Sequence, residues 1–227
     1  MGTDNLHHRR KAKLRSDVSR RKASRSPYEK VLIVCEGEKT EPVYFSELID
    51  HYEINSANIR ITGNCGSDPL SVVNHALKLY QEEKVKGDNF DHVYCVFDQD
   101  SYNLPPNKYQ QALDKIAGAK PKDTFFAITS VPCFEYWLLL HFEYTTAQFN
   151  SIGGVSAGAS VLQKLKEHWP EYEKSLIGIF KYRLPELDFA TTNAVRSLTA
   201  AEETHTNNPT THIHELVTYL KNIKNPK

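Results

Sequence analysis

Five consecutive apolar residues, Val31-Leu32-Ile33-Val34-Cys35, constrain this chain more than any other feature. A strand with one wet face alternates apolar and polar positions, so an unbroken β-branched run reads as a strand covered on both faces, the usual state in a parallel sheet. Parallel strands need crossover connections, and the following sequence supplies them. A helix is expected from about Glu41, with Tyr44, Phe45, Leu48 and Ile49 on its buried side and Pro42 in its first turn. A second strand is expected at Ile59 to Thr62. Asp68-Pro69 then reads as N-cap and first residue of a helix carrying Leu70, Val73, Leu77 and Tyr80. The third strand is His92 to Phe97. Beyond a turn at Asn103-Leu104-Pro105-Pro106, Tyr109, Ala112, Leu113 and Ile116 mark another helix, and Thr124 to Val131 a fourth strand. The expected core is an α/β domain over 28–146, a mainly parallel four-stranded sheet with helices on both faces.

After residue 146 the pattern turns helical: a Gly/Ser-rich loop over 151–158, amphipathic stretches ending at Trp169 and running from Asp188 to Ala201, and a last helix opened by Asn208-Pro209. That helix aligns Ile213, Leu216, Val217, Leu220 and Ile223. Residues 147–227 are therefore expected to form a helical extension packed on the core.

Charge is distributed unevenly. The chain is neutral overall, yet residues 1–26 hold nine Lys/Arg against Asp4 and Asp17, a net +7 that leaves −7 for the remainder. A run so basic and so poor in large apolar residues cannot offset its ordering entropy, so 1–27 is expected to be a disordered arm. Either it binds nucleic acid by neutralising phosphates, or it is a solubilising tail; an acidic body repels phosphate and favours the first. No apolar run approaches the ~20 residues of a membrane span, and the basic N-terminus lacks the apolar segment of a signal peptide. The expectation is a soluble cytoplasmic protein that does not engage membranes. Cys35, Cys65, Cys95 and Cys133 show no CxxC spacing, which points away from structural zinc and disulfides.

Chemistry-bearing residues collect where the buried strands end. In open α/β sheets ligands bind beyond the carboxyl ends of the strands; here the first strand runs into Glu36-Gly37-Glu38-Lys39-Thr40-Glu41 and the third into Asp98-Gln99-Asp100. Either cluster alone could cap a helix or open a turn. Meeting at one edge, they repel unless they share protons or bind a cation, and hard oxygen ligands suit Mg²⁺ or Mn²⁺. Glu135 lies in the very apolar stretch 132–142 and needs a cation or a strong donor, so a second metal ligand and a structural ion-pair partner are both open. His141 falls near the same helical face, either orienting a ligand or satisfied within the core. GEKT at 37–40 lacks the first glycine of a phosphate-cradling loop, and no GxGxxG follows the first strand, which excludes nucleotide cofactors of those types.

The stretches VLIVCEGEKTEPVYF, VYCVFDQD and SVPCFEYWLLLHFEY resemble the RloB family, grouped with the abortive-infection AbiLii proteins and carrying a Toprim catalytic fold. Tyr172-Glu173-Lys174, Asn193-Ala194-Val195-Arg196 and NNPTTHIHELVTYL extend the resemblance over everything after about residue 28. It implies that Glu36 acts as acid/base or metal ligand and that Asp98 and Asp100 bind Mg²⁺. It also implies an effector nuclease of phage defence paired with an ABC-type ATPase. The EGxxE spacing of some related nucleases is absent, because Glu41 stands five residues after Glu36, so Glu38 and Glu41 both remain candidates for the further ligand.

The expected activity is metal-assisted hydrolysis of DNA or RNA phosphodiesters. Glu36, Glu41, Asp98, Asp100 and Glu135 are the metal candidates; Glu36, Asp98, Asp100 and Glu135 carry catalysis. Lys39, Lys174 and Arg196, with Lys181, Arg183 and the arm, are candidates for holding the nucleic-acid backbone. The alternative is a catalytically silent nucleic-acid-binding or regulatory subunit that acts only with the ATPase. A homo-oligomer is left open, and a topoisomerase-like transfer would need a catalytic tyrosine that Tyr44, Tyr102 and Tyr136 do not announce.

Overall fold

The structure is a computed structural model that describes residues 28–66, 68–99 and 108–225. The basic arm, Asp100, Tyr102 and the turn at 103–106 lie outside the described residues. The elements are β1 (Val31–Cys35), α1 (Thr40–His51), β2 (Ile59–Thr62), α2 (Pro69–Val85), β3 (His92–Asp98), α3 (Lys108–Ala117), β4 (Phe125–Val131), α4 (Glu135–Leu139), α5 (Ala157–His168), α6 (Ile179–Arg183), α7 (Leu187–Thr204), β5 (Thr210–Thr211) and α8 (Ile213–Asn222). A short 3₁₀ turn at Leu184–Glu186 joins α6 to α7.

The sheet has the order β2-β1-β3-β4-β5, with β1 to β4 parallel. The unbroken apolar run of β1 follows from its neighbours: it is flanked by β2 and β3 and covered on both faces. Val31, Ile33 and Cys35 point into one cluster with Tyr94 and Val96 of β3, Tyr44, Phe45, Leu48 and Ile49 of α1, and Ile213, Leu216, Val217 and Leu220 of α8. Leu32 and Val34 point the other way, to Val93, Cys95 and Phe97 of β3 and to Val72, Val73 and Ala76 of α2. Such period-two partition is what a strand's alternating Cβ directions require.

The sheet is five-stranded where the sequence predicts four. β5 is only two residues long and pairs antiparallel with the end of β4, Ser130 opposite Thr211 and Val131 opposite Thr210, with the two hydroxyls Ser130 Oγ and Thr211 Oγ1 2.9 Å apart. Two residues carry no periodicity, so tertiary pairing alone creates this strand. Asn208-Pro209 accordingly leads into β5 instead of opening the last helix, which begins at Ile213. The Asn208 side chain closes on the Phe149 backbone, accepting from its N–H (3.2 Å) and donating to its carbonyl (2.8 Å).

On α2, Asp68 caps the helix by accepting from Ser71 N–H, as expected. Its buried stripe is Val72, Val73, Ala76, Leu79 and Tyr80, with Leu77 at the edge. The stretch after β4 is buried without interruption from Val131 to His141, but only Glu135–Leu139 is α-helical. The helical extension shares the core, since the cluster that begins at Val31 runs through Val161, Phe180, Ala190, Ala194 and Ile223. No helix among the described residues is long and apolar enough to cross a membrane.

Candidate functional site

The carboxyl ends of β1 and β3 lie side by side, and side chains from four separated segments converge there on a cleft of about 290 Å³. It is lined by Gly37, Glu38, Lys39, Thr40 and Glu41 after β1, Asp98 at the end of β3, Glu135 after β4, and Lys174 from the segment between α5 and α6. Backbone amides hold two of the carboxylates and side chains a third. Glu36 Oε2 accepts the Asp98 N–H at 3.0 Å across the β1–β3 pair, and Asp98 Oδ2 accepts the Phe134 N–H at 3.1 Å. Glu135, 3% exposed, accepts the Tyr172 hydroxyl at 3.3 Å through the same Oε1 that meets Lys174 Nζ at 3.2 Å.

Gly37 has a specific steric reason. A Cβ there would stand 2.1 Å from Glu41 Oε2, so only glycine lets the Glu41 carboxylate fold back against the β1–α1 turn. The Glu41 carboxylate thus occupies the space that a side chain at residue 37 would need. The same turn separates the two candidate glutamates: Glu41 is buried among the other acids, whereas Glu38 is exposed at the mouth of the cleft.

The electrostatics follow from packing acids together away from water. Burial, then Glu135 and Glu36, push the Glu41 carboxyl up to about 7. Burial, then Glu41, Glu135 and Glu36, push half-buried Asp98 well above the carboxylate range. Burial alone would lower the Lys174 ammonium, yet Glu135, with Cys133 and Asp98, outweighs it and holds Lys174 above its ordinary value. Among the described residues, the Lys174 ammonium partly balances the buried acids by its contact with Glu135.

Glu38, Glu41, Asp98 and Glu135 bring carboxylate oxygens to the cleft, the ligand chemistry of a hard divalent cation. Among the described residues, however, no three acidic, histidine or cysteine side chains stand in a ready-made ligand set. Asp100 lies outside the described residues, and Glu135 is engaged by Lys174. Of the basic candidates, Lys39 and Lys174 line the cleft. Arg196 lies on α7 with its guanidinium 3.7 Å from the centre of the Tyr144 ring and is not among the lining residues. Arg183 is held between the Phe142 and Trp169 rings. His141 is a core residue: it is 2% exposed, its Nδ1 lies 3.0 Å from the Trp137 carbonyl oxygen, and burial lowers its pKa to about 3. Tyr44 and Tyr136 are fully buried.

Three contributors escape sequence reasoning. Tyr172 braces Glu135; the Thr40 hydroxyl donates to the Lys174 carbonyl; and the Glu47 carboxylate accepts from Gly178 N–H and from Phe180 N–H, the latter at 2.9 Å. The last two pairings join residues more than 130 positions apart, and no local pattern signals them.

The chain matches the family of RloB-like proteins over residues 31–220, which spans β1 through most of α8. It belongs to the RloB family. The match covers every described residue that lines the cleft, so Glu41, Asp98, Glu135 and Lys174 all sit inside the RloB-like region. No match was found among curated proteins or among solved structures.

Proposed function

We propose that this RloB-family chain is a Toprim-type, divalent-cation-dependent hydrolase of nucleic-acid phosphodiesters, acting in phage defence with an ABC-type ATPase. One observation supports it above the rest: Glu36, Glu41, Asp98 and Glu135, from three separate segments of the chain, crowd together at the carboxyl edge of the sheet at an evident electrostatic cost. Such a cost is tolerated where a cation relieves it. Glu41, Asp98, Asp100 and Glu135 would hold Mg²⁺ or Mn²⁺, which when bound supplies Lewis-acid polarisation of a phosphodiester and a more acidic water. Glu36, pinned at Oε2 by the Asp98 amide, takes the proton of the attacking water at its carboxylate. Lys174, exchanging Glu135 for a phosphate oxygen, and Lys39 at the mouth hold the backbone in place. The basic arm contributes further phosphate contacts.

A second reading, a silent nucleic-acid-binding subunit, draws on the Lys174–Glu135 contact and on the lack of a preformed ligand set among the described residues. Incubating the full chain with Mg²⁺, Mn²⁺ or EDTA against a panel of DNA and RNA separates the two. Cleavage that EDTA abolishes and Glu36→Gln lowers by orders of magnitude, with binding retained, supports the hydrolase. Metal-independent binding without cleavage supports the silent subunit.

A further inference from the structure

Lys174 reaches the cleft from near the start of a largely exposed strap between Tyr172 and Ile179, and the strap is fastened to α1 at two points. The Thr40 hydroxyl donates to the Lys174 carbonyl, fixing the backbone of the residue that carries the ammonium. One turn of strap further on, Glu47 accepts from both Gly178 N–H and Phe180 N–H. Gly178 takes φ +92°, a conformation L side chains rarely adopt, and a Cβ there would also stand 2.8 Å from the Tyr182 ring. Between these fasteners Lys174 and Ser175 are exposed, Ile177 is 79% exposed, and Leu176, half-buried, packs against the main core. The polar clamps to α1 therefore set where the strap begins and ends beside the cleft, with Leu176 anchoring it between them.

We propose that Glu47 is a positioning residue for nucleic-acid binding: by clamping the strap to α1, it places the Lys174 ammonium over the acidic cleft. This rests on the reading of Lys174 as a phosphate contact. The physical case is that an ammonium on a flexible stem whose backbone is free spreads its charge over a wide volume, whereas the clamped backbone keeps it within reach of Glu135 and of any phosphate beside it. Thr40 and Glu47 share one helix with Glu41. Glu41 and the strap are thus referenced to the same rigid element. Lys174 is 68% exposed, open enough to swing from Glu135 to a ligand.

Full-length protein is titrated with a labelled DNA duplex and a matched RNA strand across a salt series, with Ca²⁺ as the divalent ion. Loss of one phosphate contact flattens the log–log salt slope by about 0.9 on duplex DNA and about 0.7 on a single strand. Lys174→Met is expected to lose one such contact, and Glu47→Ala the same one, with the double variant no worse than Lys174→Met alone. Gly178→Ala attacks the clamp from the strap side and should lose the same increment; Glu47→Gln, which keeps one acceptor oxygen, should recover part of it. If Glu47→Ala and Gly178→Ala keep the wild-type slope while Lys174→Met loses its increment, Glu47 is only a structural cap and the inference falls. If Lys174→Met leaves the slope unchanged, or the wild type binds neither ligand, the phosphate role of Lys174 fails first, and the positioning role with it.

Discussion

Glu41 shows how much one buried carboxylate can say about a site. Its carboxyl ionises near 7 instead of the ordinary 4.5, so the fold is most stable with Glu41 protonated. At 1.36 kcal/mol per pH unit the charged form costs about 3 kcal/mol. The stability it contributes is fully present below about pH 4.5 and is lost as pH rises through about 7. The metal-free wild type is therefore expected to lose melting temperature relative to Glu41→Gln between pH 5 and 8, and parallel melting curves over that range would refute the assignment. Asp98 makes the same point with a constraint. Asp98→Ala would orphan the Phe134 N–H, whereas Asp98→Asn keeps an acceptor and removes only charge. In EDTA, Asp98→Asn is expected to melt several degrees above wild type, about 2–4 °C per kcal/mol for a chain of this size, and to lose any rise in melting temperature produced by Mg²⁺. A variant that melts lower and still responds to Mg²⁺ would make Asp98 a structural residue.

At the level of elements, the β1–α1 turn acts as the site's frame. It is short because Gly37 lets Glu41 fold back, and it is tight against β2 because Gly63 has no Cβ to strike the Gly37 carbonyl, 2.2 Å from where one would lie. Gly37→Ala must push the Glu41 carboxylate out of its place. A displacement of about 1 Å at a reacting site commonly costs on the order of 10²-fold, so cleavage should fall by that order while the far-ultraviolet circular dichroism stays that of wild type. Unchanged cleavage would show that Glu41 is not part of the machinery. α4 shows the opposite case, an element with almost no freedom: all five residues are buried, and Glu135 is tolerated there because Lys174 and Tyr172 meet it.

At the scale of the whole molecule, one core spans the boundary expected at residue 146. β5 completes the sheet beside β4, and α6, α7 and α8 share the cluster that contains β1 and α1. A chain ending at residue 146 would expose Phe180's and Ile213's partners to water, and is expected to show no cooperative melt and to bind a hydrophobic dye; a cooperative melt would make 147–227 a dispensable appendage. Charge is also a property of the whole: +7 on residues 1–26 opposes −7 elsewhere. Deleting that arm should flatten the salt dependence of nucleic-acid binding by about 0.9 for each duplex phosphate it neutralises, and an unchanged slope would leave it a solubility tail.

The sequence by itself determined the α/β alternation, because the unbroken apolar run of β1 and the 3.6-period stripes of α1 and α8 are local patterns that only one kind of packing satisfies. It also determined that acidic residues follow β1 and β3, since ligand sites at the carboxyl edge of a parallel sheet are a consequence of topology. The tertiary structure alone decided which of those residues meet. Glu41 over Glu38 rests on a Cβ missing at Gly37; Lys174 on Glu135, and Thr40 and Glu47 on the strap, join positions far apart in the chain; β5 exists only by pairing with β4. Sequence periodicity reports what each segment buries. Which buried or clamped groups touch is settled by long-range contacts whose chain-closure entropy is met only when the whole core forms.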